Sequence, residues 1–296
     1  MDTIRFEENF TLPHLNERLK VLVTGAGGNI GRYFSQHNAE RYDLRLMVHQ
    51  PEDIDSELKQ WGEVVVADIT DLEQFKSAAK GMHTILHLAG NPSPSADWAS
   101  LLPSNIIGTY NAFAAAKFCN VRRVVFASSI HAVSGYPVDR QVQASDPVNP
   151  GDLYGVSKCF GEALARYMAE QEGLSCLVIR IGAFQPHSEA RKEKGIGMLD
   201  AWVSQRDLNQ LIQQCIDVQG LKFGIFNGLS NNRFKRLDLH QACQILGYRP
   251  QDDLFHTHPE LANLDLDHRI HAHNVADPHH ESGVKDQKVT VQPTPP

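Results

Sequence analysis

The sequence predicts an α/β fold, a doubly wound parallel sheet with a small C-terminal cap. Three observations predict it. Short apolar strands alternate with helical stretches from Lys20 onward. A glycine-rich turn closes the first of those strands, and the alternation breaks after Arg180. Strands separated by helix-length segments indicate βαβ units, whose strands are buried on both faces and need not alternate in polarity.

The strands follow in order at Val21-Leu22-Val23, 44–48, 64–67, 84–88, 123–127 and 177–180. Helical stretches lie between them, notably at about 97–118 and 152–172. Residues 1–18 are polar, lack a period, and are expected to drape over the domain as an N-terminal extension. Residues 19–181 form the dinucleotide-binding unit argued below, and 182–255 a substrate-binding cap interleaved with it. Within the cap, 182–200 reads as a long loop, followed by a helix at 205–217, a strand near 222–227 and a helix near 237–246. Residues 256–296 hold seven of the fifteen histidines, end in Gln-Pro-Thr-Pro-Pro, and read as a disordered tail.

Composition excludes several classes. A chain of 296 residues, 42% hydrophobic, can bury a core without a metal or disulfide staple. The formal net charge of -7 argues against nucleic-acid or membrane-surface partners. Five cysteines stand far apart in no Cys-x-x-Cys pair, so neither a disulfide framework nor a zinc site is indicated. Asp2, Glu7, Glu8 and Glu17 are unlike a signal peptide, and no apolar run approaches the roughly 18 residues that span a bilayer. The expected compartment is a reducing cytoplasm. The tail histidines His268, His271, His273, His279 and His280 lack supporting carboxylates or cysteines, so no functional metal site is expected.

The turn Thr24-Gly25-Ala26-Gly27-Gly28-Asn29-Ile30-Gly31 leaves a strand and opens a helix. Gly25, Gly28 and Gly31 suit a tight turn, close approach to a pyrophosphate, and close helix–strand packing. Asn29 and Ile30 begin the helix, whose N-terminus suits phosphate. The sheet is therefore expected to be of the Rossmann type, with NAD or NADP as cofactor. An acidic residue commonly ends the second strand and bonds the ribose 2′-hydroxyl. Here Val48-His49-Gln50 stands instead, and Arg32 follows the third glycine, which tilts the reading toward NADP. Asp68 suits either the adenine edge or the N-cap of the next helix.

Tyr154 and Lys158 share one helix face at i, i+4. A free tyrosine has a pKa near about 10, and a neighbouring ammonium or an oxidised nicotinamide favours the phenolate. Such a phenolate can take a hydroxyl proton while hydride leaves the same carbon. Ser128 and Ser129 end the preceding strand, where a serine can hydrogen-bond the reacting hydroxyl.

These motifs resemble the extended short-chain dehydrogenases/reductases, the class that includes sugar-nucleotide epimerases and dehydratases. The resemblance covers about residues 19–255 and includes Asp68-Ile69, Leu88-Ala89-Gly90, Asn105 to Thr109 and Phe126 to Ser129. It implies that Asp68, Ile69, Leu88, Ala89, Gly90 and Ile181 line the cofactor, that Asn105 organises the active site, and that Lys158 holds the nicotinamide ribose. A homodimer or higher oligomer through the helices near 97–118 and 152–172 is implied too. Ser128-Ser129-Ile130-His131, Leu153 to Glu162 and Trp202 to Asp207 look like uronate dehydrogenases and the short-chain glucose-6-phosphate dehydrogenases of haloarchaea. Those relatives oxidise the anomeric carbon of a pyranose to a lactone. Where they carry asparagine this chain has Ile130. Uronate dehydrogenases place a serine at Ala183 and an aspartate at His49.

The resemblance makes Ser129 and His131 substrate contacts and Arg191 a candidate grip for a carboxylate or phosphate, since a guanidinium fork suits either. Arg191, Lys192 and Lys194 equally suit a solvated loop. Asn91 and Ser93 suit the sugar site, while Pro92 and Pro94 suit a rigid turn. The expected activity is an NAD(P)-dependent dehydrogenase acting on a sugar, uronic acid or sugar phosphate, with Tyr154 as base. Sugar-nucleotide epimerisation or dehydration, and a catalytically silent dinucleotide sensor, are the rival readings.

Overall fold

The computed structural model describes residues 3–7 and 18–258. Its main sheet contains β1 (Ile4–Phe6), β2 (Lys20–Thr24), β3 (Asp43–Val48), β4 (Glu63–Val66), β5 (Thr84–His87), β6 (Arg123–Ser129) and β7 (Ser175–Ile181). After the two-stranded pair of β8 (Ala183–Phe184) and β9 (Trp202–Val203), β10 (Leu221–Gly228) completes it. The order is β1-β10-β7-β6-β5-β2-β3-β4, parallel throughout except that β1 runs against β10. Strand order reverses between β2 and β5, and a crevice opens there at the carboxyl ends of the strands.

Helices cover both faces. α1 (Asn29–Asn38) and α8 (Gln205–Asp217) pack on one, where Phe34, Leu208 and Leu211 join the strand core. α3 (Leu72–Ala79), α5 (Gly108–Phe118) and α6 (Leu153–Glu170) pack on the other, where Phe75, Phe113 and Met168 join theirs. α8 buries Leu208, Leu211, Ile212 and Cys215, the i, i+3, i+4, i+7 stripe of a core-facing helix. Ser204 caps it by accepting the Asp207 N–H. Arg123, buried at the start of β6, donates to the carbonyls of Cys215, Ile216, Val218 and Leu221, so the far end of α8 is tied to the sheet.

The structure departs from expectation in four places. Ile4–Phe6 is an edge strand, too short to show a period in sequence. The strand expected in the cap, β10, extends the main sheet beside β7, because its neighbours are chosen by packing that a local apolar run does not encode. The loop expected over 182–200 contains β8, α7 (His187–Ala190) and a 3₁₀ turn over 193–198, and β9 closes it on β8. The helix expected over 97–118 divides into α4 (Trp98–Leu101), a π-helical turn over 102–107 and α5. Pro103 sits within that turn and lacks the N–H a regular ladder needs.

The short helix α2 (Ser56–Trp61) connects β3 to β4, and α9 (His240–Leu246) follows β10. α10 (Leu254–Thr257) packs Leu254 and Phe255 against Leu199 and Trp202. The rest of the expected tail, with His268 to His280, lies outside the described residues, as do residues 8–17 of the N-terminal extension.

Candidate active site

The crevice is a cavity of about 1090 Å³ at the carboxyl ends of β2, β3, β5, β6 and β7. Its cofactor end is defined by backbone. Gly25 has φ +66°, and a Cβ there would stand 2.9 Å from the Ala89 nitrogen. A Cβ on Gly31 would stand 2.4 Å from the Gly25 carbonyl oxygen. Gly90 has φ +153°, and a Cβ there would stand 3.0 Å from Asn105 Oδ1. α1 starts at Asn29 with no side-chain cap and no acidic residue in its first turn, leaving its N–H groups for an anion. Gly28, Asn29 and Ile30 line the cavity, as do His49, Ile69 and Ile181. A dinucleotide pyrophosphate fits this cradle.

Thr24 was not singled out by its sequence, yet it holds the turn together. Its Oγ1 accepts the N–H groups of Leu88 and Ala89 and lies 2.9 Å from His87 Nδ1. With two donors already on that oxygen, its own hydrogen points to Nδ1, leaving the ring hydrogen on Nε2. His87 is buried between Phe75 and Phe126, and burial pushes its pKa down to about 3, with Lys158 adding to the effect.

Of the two readings of Asp68, the helix cap is not its role. Asp71 caps α3 by accepting from Glu73 and Gln74, whereas Asp68 lines the cavity and accepts from Thr70. Arg32 does not line the cavity. Its guanidinium pairs with Asp55 and Glu57, and its Nε donates to the Gly27 carbonyl.

The reactive groups meet where β6 and α6 end and begin. Asp152 caps α6 by accepting the Gly155 N–H, which sets Tyr154 on its first turn. Ser129 Oγ accepts the His131 N–H at 3.2 Å, and the Ser129 side chain favours the Tyr154 phenolate. Lys158 Nζ donates to the Ala127 carbonyl at 2.9 Å and lies 5.5 Å from the Tyr154 ring centre. Burial pulls the Lys158 pKa down to about 8. Tyr154 is pushed up to about 12, chiefly by burial, against the lowering effect of the Ser129 bond and with Asp152 raising it further. The lowering expected from Lys158 is not among these influences, so desolvation dominates and forming the phenolate calls for added positive charge at the site.

His131 lines the cavity, meets Tyr154 edge-on at 5.5 Å, and has Nδ1 2.6 Å from Asp152 Oδ2. Asn105, on the π-helical turn, is buried behind the cavity. It accepts the Asn91 N–H and donates to the Asn91 carbonyl and Ser157 Oγ. It thus organises the site without lining it. Ser128 lines the cavity, but its hydroxyl donates to Glu162, which also holds Arg180 through two oxygens in a buried ion pair. The Ser128 hydroxyl hydrogen is thus committed to Glu162, and its oxygen can meet a ligand only as an acceptor. Asn91 lines the cavity with its amide engaged by Ser93 and Ser100, while Ser93 pairs with Ser95 and does not line it. Arg191 is exposed at the end of α7 and also stands outside the lining.

Gln185, Met198 and Ala201, which the sequence did not single out, line the cavity together with Phe184, all contributed by the segment between β7 and α8. Only the pairing of β8 with β9 brings these distant positions together. Among the described residues no group of three or more His, Cys, Asp and Glu could hold a metal ion, and no helix is long and apolar enough to cross a membrane.

A cradle of this kind on this sheet defines the NAD(P)-binding class. The chain belongs to the NAD-dependent epimerase/dehydratase family, whose model matches residues 21–206. It is 37% identical over 253 residues to an NAD-dependent glucose-6-phosphate dehydrogenase of Haloferax volcanii, covering 79% of this chain and 93% of that one. It is 33% identical over 254 residues to an L-arabinose 1-dehydrogenase (NAD(P)(+)) of the same organism, covering 79% and 97%. Among solved structures, uronate dehydrogenase from Agrobacterium tumefaciens superposes with a TM-score of 0.73 at 31% identity, over 84% of this chain and 90% of that one.

Proposed function

We propose that this protein is an NAD(P)-dependent dehydrogenase that oxidises the anomeric carbon of a sugar to a lactone. The observation that supports it most is the meeting of Ser129, Tyr154 and Lys158 at one end of a cavity whose other end is a glycine cradle. Ser129, held by the His131 N–H, steadies the C1 oxygen. Tyr154 takes the C1 hydroxyl proton as the C–O bond becomes C=O. A dinucleotide held at the Gly25–Gly31 turn and the start of α1 would supply the acceptor for the hydride that C1 loses. Lys158, fixed by the Ala127 carbonyl, keeps positive charge beside the phenolate and is placed for the nicotinamide ribose. Phe184, Met198 and Ile130 keep water from the reacting carbon.

NAD suits the adenosine end better than NADP. The guanidinium that the sequence offers to a 2′-phosphate is closed by Asp55 and Glu57. NADH is expected to bind at least about tenfold more tightly than NADPH by fluorescence titration. Equal affinities would return Arg32 to the role its sequence position suggests. A second copy of the chain pairs through the π-helical turn, α5 and α6, whose residues Ile107, Tyr110, Val156 and Tyr167 stay 41–54% exposed. A monomer in light scattering at micromolar concentration would remove that pairing.

The direct test is absorbance of reduced nicotinamide with aldoses, uronic acids and aldose phosphates, run beside Tyr154→Phe. Reduction by a sugar, lost by about 10²–10⁴-fold in the variant, is expected. Cofactor binding without reduction by any sugar would overturn the reading.

A further inference from the structure

The sugar end of the cavity has a lining whose chemistry narrows the substrate. Ile130, Phe184 and Met198 provide apolar surface, and Ser129, His131 and Gln185 provide hydrogen-bonding groups. Gln185 lines the cavity, half-buried, and carries an amide whose chemistry suits hydroxyls. Among the described residues the one Lys or Arg in the lining is Lys158, already directed at the Ala127 carbonyl and beside the Tyr154 ring.

The neighbouring cations are directed elsewhere. Arg180 is closed in its buried pair with Glu162. Arg236 donates from Nη2 to the Ser134 and Tyr136 carbonyls, has Nη1 3.9 Å from Asp200, and stands outside the lining although its Nε and Nη1 make no hydrogen bond; Arg206 pairs with Asp252. Lys192 and Lys194 face Glu189, and Arg191 is exposed outside the lining. A carboxylate or phosphate buried here would lose water without gaining a guanidinium fork, whereas sugar hydroxyls need only the hydroxyl, imidazole and amide groups present.

We propose that the substrate is a neutral aldose, a pyranose carrying hydroxyls but neither carboxylate nor phosphate. The inference rests on the dehydrogenase reading above and separates this chain from relatives named for glucose 6-phosphate or uronate. Its physical content is that the site selects by shape and hydroxyl pattern, not by charge.

The test uses the full chain with NAD and matched sugars: glucose, glucuronate and glucose 6-phosphate, then galactose and galacturonate, then L-arabinose. The best neutral aldose is expected to exceed every acidic sugar in kcat/KM by at least about tenfold. An acidic sugar that equals or exceeds it overturns the proposal while leaving the dehydrogenase reading intact. A second arm needs no turnover. Neutral aldonolactones and their acidic counterparts are titrated into the NADH complex by calorimetry. Tighter binding of the neutral lactones supports the proposal, and equal or tighter binding of the acidic ones overturns it. Absence of turnover with every sugar defeats the dehydrogenase reading, and the lactone arm still decides the charge class.

Discussion

The two ends of the cavity are built from different materials. The cofactor end is shaped by backbone: Gly25, Gly31 and Gly90 stand where a Cβ would meet the neighbouring chain. The proposed substrate end is shaped by side chains, among them Ile130, Phe184, Gln185 and Met198 of the cavity lining. Backbone geometry admits little variation, so one cofactor class fits this end. Side-chain walls change with each substitution, so substrate choice resides at the other.

Between the two ends, beneath the serine pair, lies the buried network of Ser128, Glu162 and Arg180. Cutting it should produce the largest effect. Glu162→Ala leaves the Arg180 charge buried without its partner and is expected to cost about 3–5 kcal/mol of stability in urea unfolding. A loss within about 0.5 kcal/mol would show that the network does not support the floor shared by both ends.

Gly25→Ala should separate the ends more selectively. It strains a φ of +66° and sets a methyl 2.9 Å from the Ala89 nitrogen. Affinity for NADH is expected to fall by roughly 100-fold in fluorescence titration. An unchanged affinity would mean that side chains, not backbone, define the cofactor end.

His87 gives a smaller effect that depends on pH. Its folded pKa of about 3 lies below the ordinary 6.5. Between those values the unfolded chain binds the extra proton, so stability is complete above 6.5 and declines as pH falls toward 3. One pH unit below 6.5 the loss is about 1.4 kcal/mol, measurable as a pH-dependent melting temperature. His87→Gln should flatten that part of the profile, and an unaltered slope would assign it to other groups.

The smallest effect is expected at Arg191. Exposed and outside the lining, its replacement by alanine should change kcat/KM for any sugar by less than about twofold. A grip on a substrate anion would instead cost about 30-fold or more, and such a loss would move recognition from the walls to the loop after β7.

The sequence revealed the cofactor end almost completely. The spacing of Gly25, Gly28 and Gly31 after an apolar strand encodes a local turn, and local turns are written in consecutive residues. Tyr154 and Lys158 were equally legible, because four residues along one helix settle which face they share. Thr24 was missed because its partners, Leu88 and Ala89, are over sixty positions away. Arg32 was misread for a related reason, since the carboxylates that close it follow one strand later.

What the sequence by itself determined is the order of strands and helices, the glycine cradle and the helix face that Tyr154 and Lys158 share. Periodicity and glycine spacing are properties of neighbouring residues. What only the tertiary structure decided is the membership of β1 and β10 in the main sheet, the closing of Arg180 by Glu162, and the part of the cavity wall raised by β8 and β9. Each of these joins residues distant in the chain, and such pairings are selected by the packing of the whole molecule, not by any local pattern.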